Sequence, residues 1–415
     1  MSSTTTPQRR LGIYGVLLIL LALVAAPLAA VLVNAAVGCH DEPSALGSIV
    51  QPGMLHILGN TVLLSVLVVA FATLMAAPLA FLRSWTRFSR ANWIEIVIMI
   101  PFMTPPFAAA MAWMDFTRRG GVAEMLLGHG AGKLAHDAIY SVWGMAFIMA
   151  AELFPFLYLI LRTCLNSIPA STLEMAQIAG ASRWQQAVRI IAPNIIGPFS
   201  LGALIIFIKA AGEFGTPVTL GNAIGYKVLV SSIYEDVTID PLDFSSAAAS
   251  SSVLFAIGVA AWAFQQWISR RDLSGGGRVS RPVRIRLGSV GTAFGAVVTA
   301  IIFMAAVVIP YLSITLAAMT ILRSAPPTPN NLTFDYFSIV VQMPTAQEAL
   351  VRSIGLGALG ATTAVALGVL VTVLTRRQST IAAKFSDFLA IAPDTVPGIV
   401  LAIGCLLYTS EAADE

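Results

Sequence analysis

NTVLLSVLVVAFATLMAAPLAFLRSWTR, residues 60–87, carries no charged side chain before Arg83. A run of that length and apolarity crosses the hydrocarbon core of a bilayer as a helix, which takes about 20 residues. It does not alternate apolar with polar positions, as the roughly ten-residue strands of an outer-membrane barrel do. Runs of the same kind lie at 11–37, 57–82, 93–114, 138–162, 194–220, 244–268, 288–317, 350–375 and 386–407. Nine spans are therefore expected. The whole chain agrees: of 415 residues 57% are hydrophobic and 11% charged, with mean hydropathy +0.83, whereas a soluble domain has about 25% charged residues. The fold class is an all-α polytopic membrane protein.

The same stretch has a copy. RSIGLGALGATTAVALGVLVTVLTRRQS begins at Arg352, an offset of 292 from Asn60, and at that offset Pro101 and Pro105 fall on Pro393 and Pro397. Between the copies SRRDLSGGGRVSRPVRIRLG (269–288) is basic, rich in glycine and without apolar periodicity, the composition of a linker. The chain divides into a first half of six spans (1–268), a linker (269–287) and three spans of a second half (288–404). The last eleven residues, CLLYTSEAADE (405–415), end a span on a polar, acidic note. They look like the translation of a transposon adapter used in sequencing libraries, so the natural sequence is expected to diverge near Gly404.

Lys and Arg distribution sets the expected orientation. With the N-terminus cytoplasmic, 17 of the 24 basic residues fall in inside segments and six in outside ones, Lys209 lying within a span. The net charge of +3 reflects this bias and gives no separate support for nucleic-acid binding. The first apolar run is longer than the roughly 7–15 residues of a cleaved signal core, so an uncleaved first span is expected. Cys39, Cys164 and Cys405 suggest no disulfide framework. The adjacent residues of CHDE (39–42) cannot converge on one ion from an extended segment, and no metal site is expected. His56, His129 and His136 are scattered and suggest no role.

One stretch is out of keeping with its surroundings. STLEMAQIAGASRWQQAVRIIAP (171–193) is polar and helix-forming between two apolar runs. Ser171 and Glu174 have the spacing of a capping box, Gly180 suits a left-handed helix end, and Ser182 with Gln185 starts a second helix. Val188, Ile191 and Ile195 are expected on a packing face, with Arg183, Gln186 and Arg189 on another. From the residues alone, an amphipathic helix lying on lipid is the alternative.

The spacing of Glu174, Ala176 and Gly180, then Ile190, Ala192 and Pro193, resembles the EAA loop (E-A-A, glycine, then I-x-L-P) of ATP-binding-cassette importer permeases. It departs from that pattern at Met175 and Ala192. NTVLLS (60–65), PFMTPPFAAAMAW (101–113), GEFGTPVTLG (212–221) and PDTVPGIVLAIG (393–404) are similar to segments of the fused two-half permeases that import ferric iron, whose relatives carry phosphonates, polyamines or thiamine. The resemblance covers residues 1–404. It implies a MetI-like permease fold with nine of an expected twelve helices, in a bacterial inner membrane. It also implies a cytoplasmic ATPase dimer and a periplasmic substrate-binding protein as partners. Glu174 would orient the coupling helix, Gly180 permit its turn, and Arg183 and Arg189 meet the ATPase.

The chain has no G-x-x-x-x-G-K-[ST] phosphate loop, so ATP is expected on the partner and no cofactor on this chain. It also lacks H-E-x-x-H and G-x-S-x-G, the signatures of a metalloprotease or serine hydrolase. Ionisable residues at bilayer depth are costly and face a protein interior or a pathway. Lys209 and Glu213, four apart, can pair on one helix face or line the pathway. Glu152 is open to the same two readings, and Glu95, near a span end, is expected to snorkel. An ion-coupled secondary transporter with Glu152, Lys209 and Glu213 as a relay is the rival reading.

Overall fold

The computed structural model describes residues 7–38, 45–271, 283–285, 287–323, 325–376 and 380–414. The CHDE stretch and most of the 269–287 linker lie outside the described residues. The chain is helical, with no strand among the described residues. Its main helices are α1 (Leu11–Val37), α2 (Pro52–Trp85), α3 (Trp93–Met103), α4 (Pro106–Thr117), α5 (Val122–Ile139) and α6 (Val142–Ser167). There follow α7 (Ala170–Ile178), α8 (Arg183–Ala211), α9 (Leu229–Thr238), α10 (Phe244–Arg271) and α11 (Ser289–Met319). The last are α12 (Asp335–Gln342), α13 (Pro344–Thr375), α14 (Ile381–Thr395) and α15 (Gly398–Asp414).

Seven of these are long and apolar enough to cross a membrane, and α3 with α4 makes an eighth only as a pair bent by 97°. The expected third span, 93–114, is thus broken. Pro105 and Pro106 follow one another, and a residue before proline is driven out of the helical region; Thr104 accordingly sits at φ −81°, ψ 127°. The second copy breaks in the same register. Val396 before Pro397 sits at φ −97°, ψ 130°, and α15 restarts at Gly398 as α4 restarts at Pro106. The expected ninth span, 386–407, is therefore two helices as well. The expected fifth span, 194–220, is shifted: α8 begins at Arg183 and stops at Ala211.

Three spans carry a π-helical segment that ends just before a proline. Ala26, Ala192 and Ile309 donate to the carbonyls of Leu21, Ala187 and Met304, five residues back, and Pro27, Pro193 and Pro310 come next. Proline has no N–H and its ring clashes with the carbonyl four residues earlier. A π turn moves that carbonyl aside, so the helix continues through the proline.

The described residues group into two compact units. One comprises residues 56–231 and 259–331. In its core, α2 presents Leu64, Val68, Ala72, Ala76 and Leu79, a stripe at helical spacing. α6 is largely buried, with Met145, Met149, Phe154 and Leu157 fully enclosed. The broken pair contributes Ile98 and Trp113, and α11, first span of the second half, contributes Ile302 and Ala306. The other unit comprises residues 1–55, 232–258 and 332–415. There Val16, Leu20 and Val24 of α1 pack on Val371 of α13 and on Leu389 and Ala392 of α14. In each unit, then, the broken span packs with the first span of the opposite sequence half.

Candidate functional site

The 171–193 stretch folds as a helix, a tight turn and a helix. α7 does not start with the expected capping box: Pro169 is its N-cap, Ala170 already lies inside it, and no side-chain cap bond forms. Proline's fixed φ and missing N–H suit a helix entrance, which moves Ser171 and Glu174 too far along for the reciprocal bonds. Its far end is closed by a Schellman motif. Ala181 N–H reaches the Ala176 carbonyl at 2.9 Å and Gly180 N–H the Gln177 carbonyl at 3.0 Å. Gly180 takes φ +83°, the left-handed conformation that motif requires. The second expected box does form: Gln185 N–H donates to Ser182 Oγ at 3.2 Å and Ser182 N–H to Gln185 Oε1 at 2.9 Å. The helix it starts does not end before the next span but runs on as α8 through the π segment at Ala187–Ile191.

Leu173, Ile191 and Ile195 seat this element on the core. Val188, expected beside them, is 47% exposed, because the π segment rotates the face on which it would have packed. Glu174, Gly180, Arg183, Arg189 and Pro193 are exposed, and Ala176 is half-buried beneath the turn. Three apolar side chains stand out with them: Ile178 is 88% exposed, Trp184 77% and Met175 63%. They flank Gly180 on both sides, a placement legible in the sequence as large apolar residues on the wet side of the turn.

The ionisable residues at depth come from α6, from α8 and, for Glu213, from the turn past the α8 end at Ala211. Lys209 Nζ lies 5.5 Å from the centroid of Phe156, whose ring meets Phe102 edge-on at 4.6 Å. Phe156 is one helical turn from Glu152. The Glu213 carboxylate accepts the Thr216 N–H at 3.1 and 3.2 Å, folding back over the turn that follows α8. Gly215 there lies so close to the α4 start that a Cβ would stand 2.5 Å from Phe107 N. Glu152 lines a cavity of about 10 Å³ together with Thr104, Trp113 and Pro310, and its Oε2 is buried without a hydrogen-bond partner. One water needs about that much room.

One of these expectations needs correction. Glu95 does not snorkel: Arg83 donates to it at 3.0 Å and Arg162 pairs with its other oxygen, since two guanidiniums within reach hold a carboxylate better than thin interfacial water. His129 pairs with Glu124, which also accepts the Gly120 N–H at 2.7 Å. These two bonds, His129's first, hold the Glu124 carboxyl below its ordinary value.

Residues 69–272 match the family described as binding-protein-dependent transport system inner membrane component. A ferric transport system permease protein of Actinobacillus pleuropneumoniae is 28% identical over 225 residues, 54% of this chain and 32% of the relative. A sulfate transport system permease protein of Escherichia coli is 25% identical over 179 residues, 43% of this chain and 63% of the relative. A molybdenum transport system permease protein of the same organism is 24% identical over 226 residues, 53% of this chain and 96% of the relative. The chain spans about a third of the length of the ferric relatives it matches. The matched segment holds α3 to α10 entire, including the broken span, the α7 turn and the charged end of α8. Residues 69–272 thus carry the domain of the inner membrane components of binding-protein-dependent transport systems.

Proposed function

We propose that this chain is the permease of an ATP-driven importer, with its N-terminus in the cytoplasm and residues 171–193 as the contact to a separate ATPase dimer. The observation that carries the reading is the doubly capped turn at Gly180, held out from the core with Ile178, Trp184 and Met175 uncovered. Large apolar side chains are left in water at a cost of about 1.5–3 kcal/mol each relative to burial, and a protein cleft accepting the turn recovers it. An external binding protein would deliver substrate, and ATP-driven closure of the ATPase would move the loop. Ferric iron is the proposed cargo. Its support is the ferric relatives together with Glu152 and Glu213, carboxylates suited to a cation; the sulfate and molybdenum relatives make an oxyanion the competing cargo.

The test expresses the chain with its ATPase and binding protein in cells and measures uptake of radioactive ferric iron and of sulfate. Trp184→Ala and Ile178→Ala are expected to reduce ATPase association and uptake together, by about tenfold for a lost apolar anchor. Full association and uptake in both variants would sink the coupling assignment, and sulfate uptake without iron uptake would change the cargo. The unpartnered Glu152 oxygen favours one rival, an ion-coupled carrier using Glu152, Lys209 and Glu213. Uptake that survives ATP depletion and collapses with an uncoupler would establish it.

A further inference from the structure

We propose that Glu95, Arg83 and Arg162 are positioning residues that carry movement of the 171–193 turn into the broken span, an inference that rests on the coupling reading above. Glu95 stands in the first turn of α3, where a carboxylate also complements the helix N-terminus. One of its oxygens accepts from Arg83 Nη2 at 3.0 Å and the other pairs with Arg162 Nη1. Arg83 belongs to the last turn of α2, is 2% exposed, and directs its second amino group to the Phe88 carbonyl. Arg162 sits five residues before the end of α6 at Ser167, and only Ile168 and Pro169 separate that end from α7. A single carboxylate thus ties together the ends of three helices.

A second fastening lies beside the first. Trp85 Nε1 donates to the Leu165 carbonyl at 3.0 Å, and the Trp85 carbonyl accepts the Ile285 N–H at 2.6 Å. Arg284 reaches Ser89 at 2.6 Å. The foot of α6, the corner between α2 and α3, and residues 283–285 are therefore held at one spot. Charge-assisted bonds make such a joint stiff, and Arg83 is too deep for water to replace its partner. Arg83 Nε and Arg162 Nε are buried without hydrogen-bond partners, so Glu95 carries much of what neutralises both. From Glu95 to the end of α3 at Met103 is only about two turns. A displacement of α7 reaches the proline break through this joint. The repeat offset of 292 places a second carboxylate, Asp387, in the register of Glu95.

The experiment places spin labels at Ile178 on α7 and Ile96 on α3, 88% and 69% exposed. The full chain is held in lipid nanodiscs, with Cys39, Cys164 and Cys405 replaced by serine. A narrow distance distribution is expected for the parent. Glu95→Gln and Arg162→Gln should broaden it about twofold or more, as a released element samples further positions, while Arg162→Lys should keep it narrow. If Glu95→Gln strands the buried Arg83 charge and fails to fold, Arg162→Gln decides the matter, since its side chain is already 27% exposed. An Arg162→Gln chain of parental helicity and melting temperature with an unchanged distribution overturns the proposal. The measurement needs no ATPase, so its failure is distinct from failure of the association and uptake experiment.

Discussion

Gly180 shows how a single residue can be decided by backbone alone. Nothing lies within 4 Å of where its Cβ would be, yet φ is +83°. A side chain there meets open space, and its only cost is the left-handed conformation, about 1–2 kcal/mol. Gly180→Ala is expected to loosen the turn by that amount and Gly180→Asn by less, because asparagine tolerates the conformation. Amide exchange at Ala181, whose N–H is held by the Ala176 carbonyl, reads the difference. Equal protection in all three would mean that the Schellman bonds are not what closes α7. This glycine is legible from its place after a helical run. Ser171 misleads because the same residues also fit a helix starting earlier, and Pro169 decides between the two entrances.

At the scale of an element, prolines have different effects on the spans: Pro78, Pro155 and Pro198 lie within continuous helices, and others mark a π segment or a break. Where proline follows a π segment the helix continues, as at Pro27, Pro193 and Pro310; where it follows an extended residue the helix breaks, as after Thr104 and Val396. The repeat of Pro101 and Pro105 on Pro393 and Pro397 could be read off the sequence, but the bend of 97° could not. At the first break the residue before the proline is also tied to a neighbouring helix: Thr104 Oγ1 meets Tyr311 Oη at 2.9 Å. Close helix contact is as local. A Cβ on Gly404 would stand 2.3 Å from the Pro27 carbonyl oxygen, whereas Gly360 on α13 has nothing within 4 Å. Gly404→Val is expected to lower stability by about 1–3 kcal/mol through forced separation of α1 and α15, and Gly360→Ala to leave it level or slightly raised. Thermal unfolding in detergent compares them, and equal loss in both would remove the close-packing explanation.

For the whole molecule, the sequence halves and the packed units do not coincide. By sequence, α1 belongs with α2 to α6; in space it packs on α13 and α14, while α11 packs with the first-half helices. Removing residues 1–37 should therefore raise proteolytic and exchange sensitivity in α13–α15 and leave α2–α6 protected. Loss of protection in α2–α6 with α13–α15 intact would contradict this exchange of first spans. Nothing in the sequence announces it, because an apolar face does not specify which other apolar face it meets.

What the sequence determined by itself was what local physics settles. Runs of about 20 apolar residues must become helices in lipid, where every backbone polar group needs an internal partner. Capping and turn residues mark where a polar insert bends, and a shared offset shows duplication. The tertiary structure decided what depends on residues far apart: that Glu95 is gripped between Arg83 and Arg162, that Glu152 lines a cavity with Pro310, and that each broken span leans on the other half's first span. Burial and charge pairing are set by which helices meet, and that choice is made by the fit of whole surfaces.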